Sequence, residues 1–254
     1  MAQCSYTLPL QALASVELAD GSAYMLLLNP TGGVLGGDRL LTRIALDRGT
    51  HVCLSTPSAT RVYRTLGPPS VQETWIEMAE GATLEYVPDH VIPHAGSRFR
   101  QHLRLDMESD SRVILFDAIA AGRLAHDERW NMTELDSATE ILLRGKRVYL
   151  NRTKVNPSAL EPSRFGVMGE FAYFASFVLI ADGFDGWPGL LALMNGTLAA
   201  SSQVVGGASL LATSGCVVRF LAKSAVALSD ATTALWATAR GALLGLPPAE
   251  LRKY

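Results

Sequence analysis

The densest group of side chains that could do chemistry lies in one segment, EYVPDHVIPHAGSRF. Its titratable members are Glu85, Asp89, His90, His94 and Arg98. Two histidines four residues apart can bind one metal ion on a helix, but Pro88 and Pro93 prevent a helix here. On an extended chain the imidazoles of His90 and His94 would lie roughly 13 Å apart, too far for one zinc ion. We therefore expect exposed or hydrogen-bonded histidines rather than a tight metal site, while transient contact with a passing metal ion stays open.

A glycine-rich segment, NPTGGVLGGDRL, is the second candidate. Its glycines are Gly32, Gly33, Gly36 and Gly37. Their spacing matches neither the dinucleotide-binding nor the Walker pattern, and Asp38-Arg39 stands where the Walker pattern has Lys-Ser/Thr. The residues that follow alternate like a strand, so no helix N-terminus is available to bind phosphate. The segment predicts a glycine turn between strands at residues 26–28 and 40–46, and this turn presents Asp38.

Two further polar segments give weaker signals. TPSATRVYRTLG places Arg61 and Arg64 on either side of Tyr63, which suits either an acidic partner surface or a surface strand with salt-bridged arginines. DAIAAGRLAHDERW contains the carboxylates Asp117, Asp127 and Glu128. These could form an acid–base pair or could be solvated loop residues. The sequence contains no signature of a catalytic nucleophile, and Cys53 lies in an apolar strand pattern that predicts a packed thiol.

The composition is that of a globular protein. The chain of 254 residues is 48% hydrophobic and 18% charged, and its net charge of −2 does not favour nucleic-acid binding. Three widely spaced cysteines predict a reducing, cytoplasmic environment. The longest apolar stretch, residues 171–181, has about half of the roughly 20 residues that span a membrane. We expect it to contribute exposed apolar surface, which would make the isolated protein poorly soluble.

Hydrophobic periodicity predicts mostly strands in residues 1–155. The expected strands are residues 26–28, 40–46, 52–55, 71–78, 83–87, 99–107 and 113–116. Two helices are expected later, at about residues 187–200 and 230–244, with a strand pair inside residues 203–223. The second helix would begin at a cap formed by Ser229 or Asp230. Its expected apolar stripe and stop signal are Trp236, Ala239, Leu243 and Gly245.

A loose internal repeat runs through the strand region. LDRGTHVCLSTP, MAEGATLEYVP, MESDSRVILFD and LLRGKRVYLNR each lead from an apolar residue through a turn into a strand, with turn residues Gly49, Gly81, Asp110 and Gly145. The turns recur roughly every 30 residues, which is typical of stacked β units in a solenoid. A simple β-meander is the alternative, because any meander has turns at intervals.

Taken in order, NPTGGVLGGDRL, TPSATRVYR, LEYVPDHVIPHAGSRF and AGRLAHDERW resemble the UreD (UreH) family of urease accessory proteins. The residues that match the family motifs are Gly32, Gly33, Gly36, Gly37, Arg61, Tyr63, Arg64, Pro88, Gly96, Arg98, Gly122, Arg123 and Glu128. The resemblance implies one domain over residues 1–254, β-rich in 1–180 and mixed in 181–254, with stacked solenoid-like sheets and about two C-terminal helices. It also implies a non-enzymatic scaffold that joins UreF and UreG, docks on the urease apoprotein and helps nickel reach a carbamylated-lysine site.

The chain departs from the family pattern in four places. Residues 5–18 match only the tail of the family's first segment, so we expect an N-terminus that is short relative to the family. Arg61 stands where lysine is usual. His90 and His94 replace residues that are usually not histidine, so no family role transfers to them. Asp127 replaces the glycine that usually precedes the motif glutamate.

By resemblance, the residues expected along a path for transient Ni²⁺ are Asp38, Asp117 and Glu85. Nickel takes nitrogen and oxygen ligands, and scattered carboxylates along a wet interior path would bind it weakly enough to release it. No tightly bound cofactor is expected. The alternative for each carboxylate is that it caps a turn or pairs with Arg39 or Arg123. Two other function classes stay open: an adaptor that never contacts metal, and a solenoid enzyme that uses carboxylates near Asp117 and Glu128.

Overall fold

The computed structural model describes residues 3–249. The first strands are β1 (Gln11–Ala12), β2 (Val16–Glu17), β3 (Ala23–Leu28), β4 (Gly33–Val34), β5 (Arg39–Leu46), β6 (His51–Ser55), β7 (Thr60–Val62), β8 (Ser70–Met78) and β9 (Thr83–Tyr86). They are followed by β10 (Val91–Pro93), β11 (Arg98–Met107), β12 (Arg112–Ala120), β13 (Glu134–Leu143), β14 (Lys146–Val155), β15 (Tyr173–Ala181), β16 (Val204–Leu210) and β17 (Gly215–Ala222). The α-helices are α1 (Trp187–Ala199) and α2 (Ala225–Ala239).

Parallel pairing of successive coils makes the chain a β-solenoid of about three turns. One face is the parallel run β3-β6-β9-β12, and another is β5-β8-β11-β13. Between them the short strands β4, β7 and β10 stack in the same order. β15 extends the first face by antiparallel pairing with β12, and β17 and β16 follow it. The expected mainly-β solenoid with two late helices is confirmed, and the parallel pairing excludes a simple meander.

The repeated turn residues form one corner of the solenoid. Gly49, Gly81 and Asp110 turn successive coils with φ of 67°, 70° and 57°. Each of the two glycine N–H groups donates to a carbonyl in the turn of the next coil, at 3.1 and 3.0 Å. The repeat in the sequence is therefore the stacking of these turns. Gly145 is different, because it turns the antiparallel hairpin between β13 and β14.

The inward side of the β5-β8-β11-β13 face is layered. Its apolar row, in register across four strands, is Ile44, Ile76, Leu105 and Ile141. The neighbouring rows contain amides and hydroxyls, which we call the polar layer: Thr42, Gln72, Thr74, Gln101, Ser137 and Thr139. One buried apolar cluster, which includes Leu105, lies to one side of this layer, and another, which includes Phe99, lies to the other. The solenoid interior is thus divided by a polar seam.

The largest core lies between the first face and the two helices. It includes Trp187, Leu190 and Met194 of α1 and packs them against β12, β15 and β17. Because β15 lies between β12 and β17 and is covered on both sides, nearly all of its residues are buried. The expectation that residues 171–181 form exposed apolar surface is therefore wrong. The first helix and the strand pair inside residues 203–223 are confirmed.

The second helix begins earlier than its sequence pattern suggests. Ser224 is the N-cap, and its side-chain oxygen accepts from the Ala227 N–H at 3.1 Å. The expected cap at Ser229 or Asp230 is therefore wrong, because the alanine-rich residues before it are good helix formers that lack an apolar period. The helix continues as one π-helical segment, Arg240–Leu244, and ends at Gly245 with φ of 67°, as expected.

A buried ion pair fixes α2 to the solenoid. The Arg240 guanidinium and the Glu85 carboxylate are both fully buried and lie 2.5 Å apart. Glu85 also accepts from Trp236 Nε1 at 2.7 Å and lies 2.8 Å from His51 Nε2. Arg240 additionally pairs with Asp20 of the β2–β3 turn. One arginine thus joins the N-terminal strands, the middle coil and the last helix.

Arg240→Ala should destabilise the protein by about 3–5 kcal/mol, because it leaves the Glu85 carboxylate buried without its partner charge. The matched control is Arg48→Ala, which breaks an exposed pair with Glu80 and should cost less than about 1 kcal/mol. Urea unfolding of both variants measures the difference. Equal losses of unfolding free energy in the two variants would show that the buried pair does not hold α2.

Candidate functional site

The four motif segments meet at a second corner of the solenoid, which we call the motif corner: residues 32–38, 61–65, 94–98 and 122–131. Backbone hydrogen bonds join each segment to the next. Tyr63 N donates to Val34 O at 3.0 Å, Thr65 N to Gly96 O at 3.1 Å, and Gly96 N to Asn131 O at 2.8 Å. Segments that are far apart in sequence therefore become neighbours, because they occupy the same position in successive coils.

The glycines of the first segment serve two different purposes. Gly32 and Gly37 have φ of 73° and 89°, which side-chain-bearing residues rarely adopt. Gly33 and Gly36 give room instead: a Cβ at Gly33 would lie 2.3 Å from the Arg61 carbonyl oxygen, and one at Gly36 2.9 Å from a Thr65 methyl. The predicted turn is present, but the prediction that it joins two paired strands is wrong. The segment crosses from one sheet to the other through β4, so β3 and β5 do not pair.

The corner carboxylates hold loops in place. Asp38 is half-buried, and its Oδ2 accepts from the Leu35 N–H at 2.8 Å, so it caps the glycine turn. Glu128 accepts from Ala95 N at 3.1 Å and from Arg123 Nε at 2.8 Å. The Arg123 guanidinium holds the pKa of the Glu128 carboxyl at about 2, well below its usual value. Arg123 is thus the partner of Glu128, not of the aspartates.

The arginines of the second segment are free of ion pairs. Within residues 3–249, neither Arg61 nor Arg64 lies within ion-pair distance of a carboxylate, and both are exposed. The Arg64 side chain packs over Gly96, whose φ is 70°. Arg98 pairs with Glu134 at 3.5 Å and donates from its backbone N–H to the Thr65 hydroxyl at 2.9 Å. The corner therefore shows two unpaired positive charges to solvent.

The two histidines contact different rings. His90 meets Tyr173 edge-on with ring centroids 5.3 Å apart, and His94 meets Tyr63 at 5.1 Å. Burial, and next the Arg123 charge, lower the pKa of His94, which favours the neutral form of its ring. Its Nε2 is buried without a hydrogen-bond partner. No cluster of three or more potential metal ligands occurs in the described part of the chain.

A polar cleft runs between the two sheets. Its inner part is lined by Asp117, Asp89, Thr74, Gln101 and Thr139, and its outer part reaches the motif-corner glycines Gly32 and Gly33. The two parts adjoin, because Gln72 and Tyr86 are among the lining residues of both. Each part has about 60 Å³ of room for water, enough for a few molecules. The polar layer forms one wall of this cleft.

Asp117 is the carboxylate that this cleft positions. Gln101 Nε2 donates to its Oδ1 at 3.1 Å and to Ser137 Oγ at 2.8 Å, so the amide links the strands on both sides of the cleft. Burial raises the pKa of Asp117, while the hydrogen bonds from Gln101 and the Ala118 N–H oppose the rise. Burial, and next the Asp117 charge, raise the pKa of Tyr86 to about 12.

The other two expected path carboxylates lie elsewhere. Asp38 belongs to the turn at the outer end of the cleft and does not line it. Glu85 is next to Tyr86 on β9, and neighbouring strand residues face opposite sides of a sheet. Tyr86 therefore faces the cleft, while Glu85 faces the helices and is occupied by Arg240 and Trp236. Of the three, only Asp117 is in contact with the cleft.

Sequence reasoning missed Gln101 and Arg240, although both left a signal. Gln101 falls on the inward side of an alternating strand, where an apolar residue would be expected. Arg240 lies four residues after Trp236, on the apolar stripe of the second helix, where a charge requires a buried partner. Cys53 is fully buried, and the predicted packed thiol is confirmed. Neither α1 nor α2, in the described residues, has the length and hydropathy that a membrane span requires.

Comparison with known proteins agrees with the motifs that form the corner. The family described as "UreD urease accessory protein" matches residues 1–253. A urease accessory protein UreD of Herpetosiphon aurantiacus is 34% identical over 252 residues, which is 96% of this chain and 88% of the relative. The UreD of Deinococcus radiodurans is 36% identical and covers 96% of this chain and 86% of its own length. The UreD of Mycolicibacterium gilvum is 35% identical and covers 88% of this chain and 81% of its own length.

The Arg123–Glu128 pair should make stability pH-dependent in acid. Because the pKa of Glu128 in the folded protein is about 2, against an ordinary value of 4.5, its ionised form stabilises the fold above about pH 4.5. That contribution is lost as the pH falls from about 4.5 to about 2. Glu128→Gln should therefore be less stable than the wild type at neutral pH, and the difference should shrink through this window. Urea unfolding at a series of pH values tests it, and a difference independent of pH would contradict it.

Proposed function

The chain belongs to the UreD family of urease accessory proteins, and we propose that it acts as a non-catalytic scaffold in urease maturation. In this role it joins UreF and UreG, docks on the urease apoprotein and gives nickel a route to the metallocentre. The observation that carries the proposal is the polar cleft, whose two adjoining parts lie beside the motif corner and beside Asp117.

The lining of the cleft suits a divalent ion as cargo. Its oxygen donors are carboxylates, hydroxyls and amides, and the room for water lets an ion keep part of its hydration shell. Asp117 supplies a negative charge, and Asp89 lines the same inner part. Nickel held by few oxygen donors and water binds weakly, so it can be passed on.

The raised pKa of Asp117 sets a condition on this role. A carboxylate binds a cation in its ionised form, and burial favours the neutral form at low pH. The Gln101 amide stabilises the ionised form by donating a hydrogen bond. A cation that enters the cleft would favour ionisation further, so nickel loading would weaken as the pH falls.

The motif corner supports the docking part of the proposal. Arg61 and Arg64 are exposed and unpaired within residues 3–249, and Tyr63 lies between them. Arginine and tyrosine are enriched at the energetic centres of interfaces, and unpaired cations favour an acidic partner surface. The outer part of the cleft reaches this corner, so a partner docked here would cover its end.

Two alternatives make different predictions. An adaptor that never contacts metal would need the corner but not Asp117. A solenoid enzyme would need room for a substrate beside paired carboxylates, but each part of the cleft has about 60 Å³ for water, against several hundred Å³ in most ligand pockets. Glu128 does not line the cleft and is already held by Arg123, so it does not pair with Asp117.

Asp117→Asn should reduce the nickel content of urease co-expressed with the full set of accessory proteins severalfold. The variant keeps the size of the side chain and an oxygen that accepts from Gln101, while it removes the charge. Co-purification with UreF, UreG and urease apoprotein should stay at the wild-type level. The measurement is nickel per urease active site together with urease activity.

The matched control is Asp106→Asn, which removes a carboxylate from the outer side of β11, where it pairs with Arg104 at 2.9 Å. This variant should load nickel like the wild type. Full nickel content with Asp117→Asn would overturn the path and favour the adaptor. Loss of partner assembly in Asp117→Asn would show that the residue serves the fold instead.

A further inference from the structure

The hydrogen bonds of Gln101 cross the cleft. Gln101 lies on β11, and its side-chain nitrogen Nε2 donates to Ser137 Oγ on the neighbouring strand at 2.8 Å and to Asp117 Oδ1 on the opposite sheet at 3.1 Å. Nε2 carries two hydrogens, so these two acceptors use its full capacity. The amide is therefore held with its nitrogen towards Asp117, and it links the two sheets at the inner part of the cleft.

This orientation of the amide competes with a cation at Asp117. The hydrogens on Nε2 carry partial positive charge and repel a cation, whereas the amide oxygen Oε1 is a ligand for one. An ionised carboxylate only accepts hydrogen bonds, so Asp117 selects the nitrogen end of the amide. A cation bound to the same carboxylate selects the oxygen end. The two orientations therefore exclude each other.

We infer that Gln101 is the residue that lets the cleft release its cation, an inference that rests on the nickel path proposed above. In the empty cleft, Nε2 donates to Asp117 and compensates for the burial of its charge. When a cation arrives, the amide turns about its last torsion, which rotates easily, and presents Oε1. The cation leaves as the amide turns back and re-forms its bonds with Asp117 and Ser137. Ser137 permits both orientations, because a hydroxyl donates as well as accepts.

The chemistry of this position favours an amide over the alternatives. A carboxylate at residue 101 would place a second negative charge where Nε2 lies, 3.1 Å from Asp117 Oδ1. The affinity of a site built from oxygen ligands rises with the number of its charged ligands, so the cation would be held. An apolar side chain would remove the donor and favour the neutral form of Asp117. Glutamine compensates for the charge of Asp117 and adds none of its own.

Gln101→Glu should turn transient binding into retention. The accessory complex, isolated after co-expression with urease, should keep severalfold more nickel than the wild-type complex, because two adjacent carboxylates bind a divalent ion more tightly than one. The nickel content of urease should fall correspondingly. Metal analysis of the isolated complex and of urease measures both changes. Co-purification with UreF, UreG and the urease apoprotein checks that the complex still assembles.

The matched control is Gln72→Glu. Gln72 lies opposite Gln101 in the same row of the sheet and lines the same cleft. Within residues 3–249 its side chain makes no hydrogen bond to Asp117, which accepts from Gln101 instead. The control adds the same negative charge to the cleft without pairing it with Asp117. It should therefore retain much less nickel than Gln101→Glu.

A double variant tests the pairing itself. Asp117→Asn combined with Gln101→Glu exchanges the carboxylate and the amide while it keeps the length of both side chains. The pair again has one negative charge and one amide donor, so nickel delivery to urease should recover towards the wild-type level, although Asp117→Asn alone lowers it. A purely structural role for Gln101 would make the double variant worse than either single variant. If charge repulsion prevents assembly of Gln101→Glu, the double variant decides, because its net charge is that of the wild type.

The possible results separate this inference from the nickel path. Normal nickel delivery in Asp117→Asn would overturn both. Reduced delivery in Asp117→Asn together with wild-type retention in Gln101→Glu would overturn the role of Gln101 alone. Equal retention in Gln101→Glu and Gln72→Glu would do the same. So would a double variant that delivers no more nickel than Asp117→Asn.

Discussion

In-register stacking of successive coils is the constraint on which this structure depends. Each coil must present its turn, its strands and its inward residues directly over those of the coil before it. Stacking explains why motif segments roughly 30 residues apart become neighbours at one corner. It also explains why Gly33 tolerates no side chain, since the next coil's backbone lies where its Cβ would be. A substitution in one coil therefore affects the packing of the coils on either side.

Stacking also turns single polar residues into a continuous feature. One glutamine inside a core would be costly unless it found a partner. Here Gln72 and Gln101 lie in one row, and Gln101 bonds to Asp117 and Ser137. Thr42, Thr74 and Thr139 lie in the next row together with Leu103, and the cleft beside these rows has room for water. The solenoid has two apolar clusters beside this seam in place of one uniform core, and the seam lines the cleft on which the proposed nickel path depends.

The sequence predicted the features that depend on local signals. Glycine and aspartate at repeated turns need positive φ, and Pro188 marks the start of α1, so the solenoid and its first helix could be recognised. The family resemblance pointed to Asp38 and Asp117, but it could not decide that one caps a turn and the other faces the cleft. The partner of Glu85 was out of reach, because Arg240 lies 155 residues away. Burial of β15 likewise depends on helices that follow it in the chain.

The buried Arg240 has a consequence for how the protein is made. Its contacts with Asp20 and Glu85 span 220 and 155 residues of sequence. A ribosome releases the chain from its N-terminus, so every coil of the solenoid emerges before the arginine that neutralises Glu85. Until then the Glu85 carboxylate lacks its positively charged partner. The apolar side of the first sheet is also not yet covered by the helices. The nascent chain is therefore most open to misassembly or chaperone capture during this interval, and synthesis of the last few turns of helix ends it.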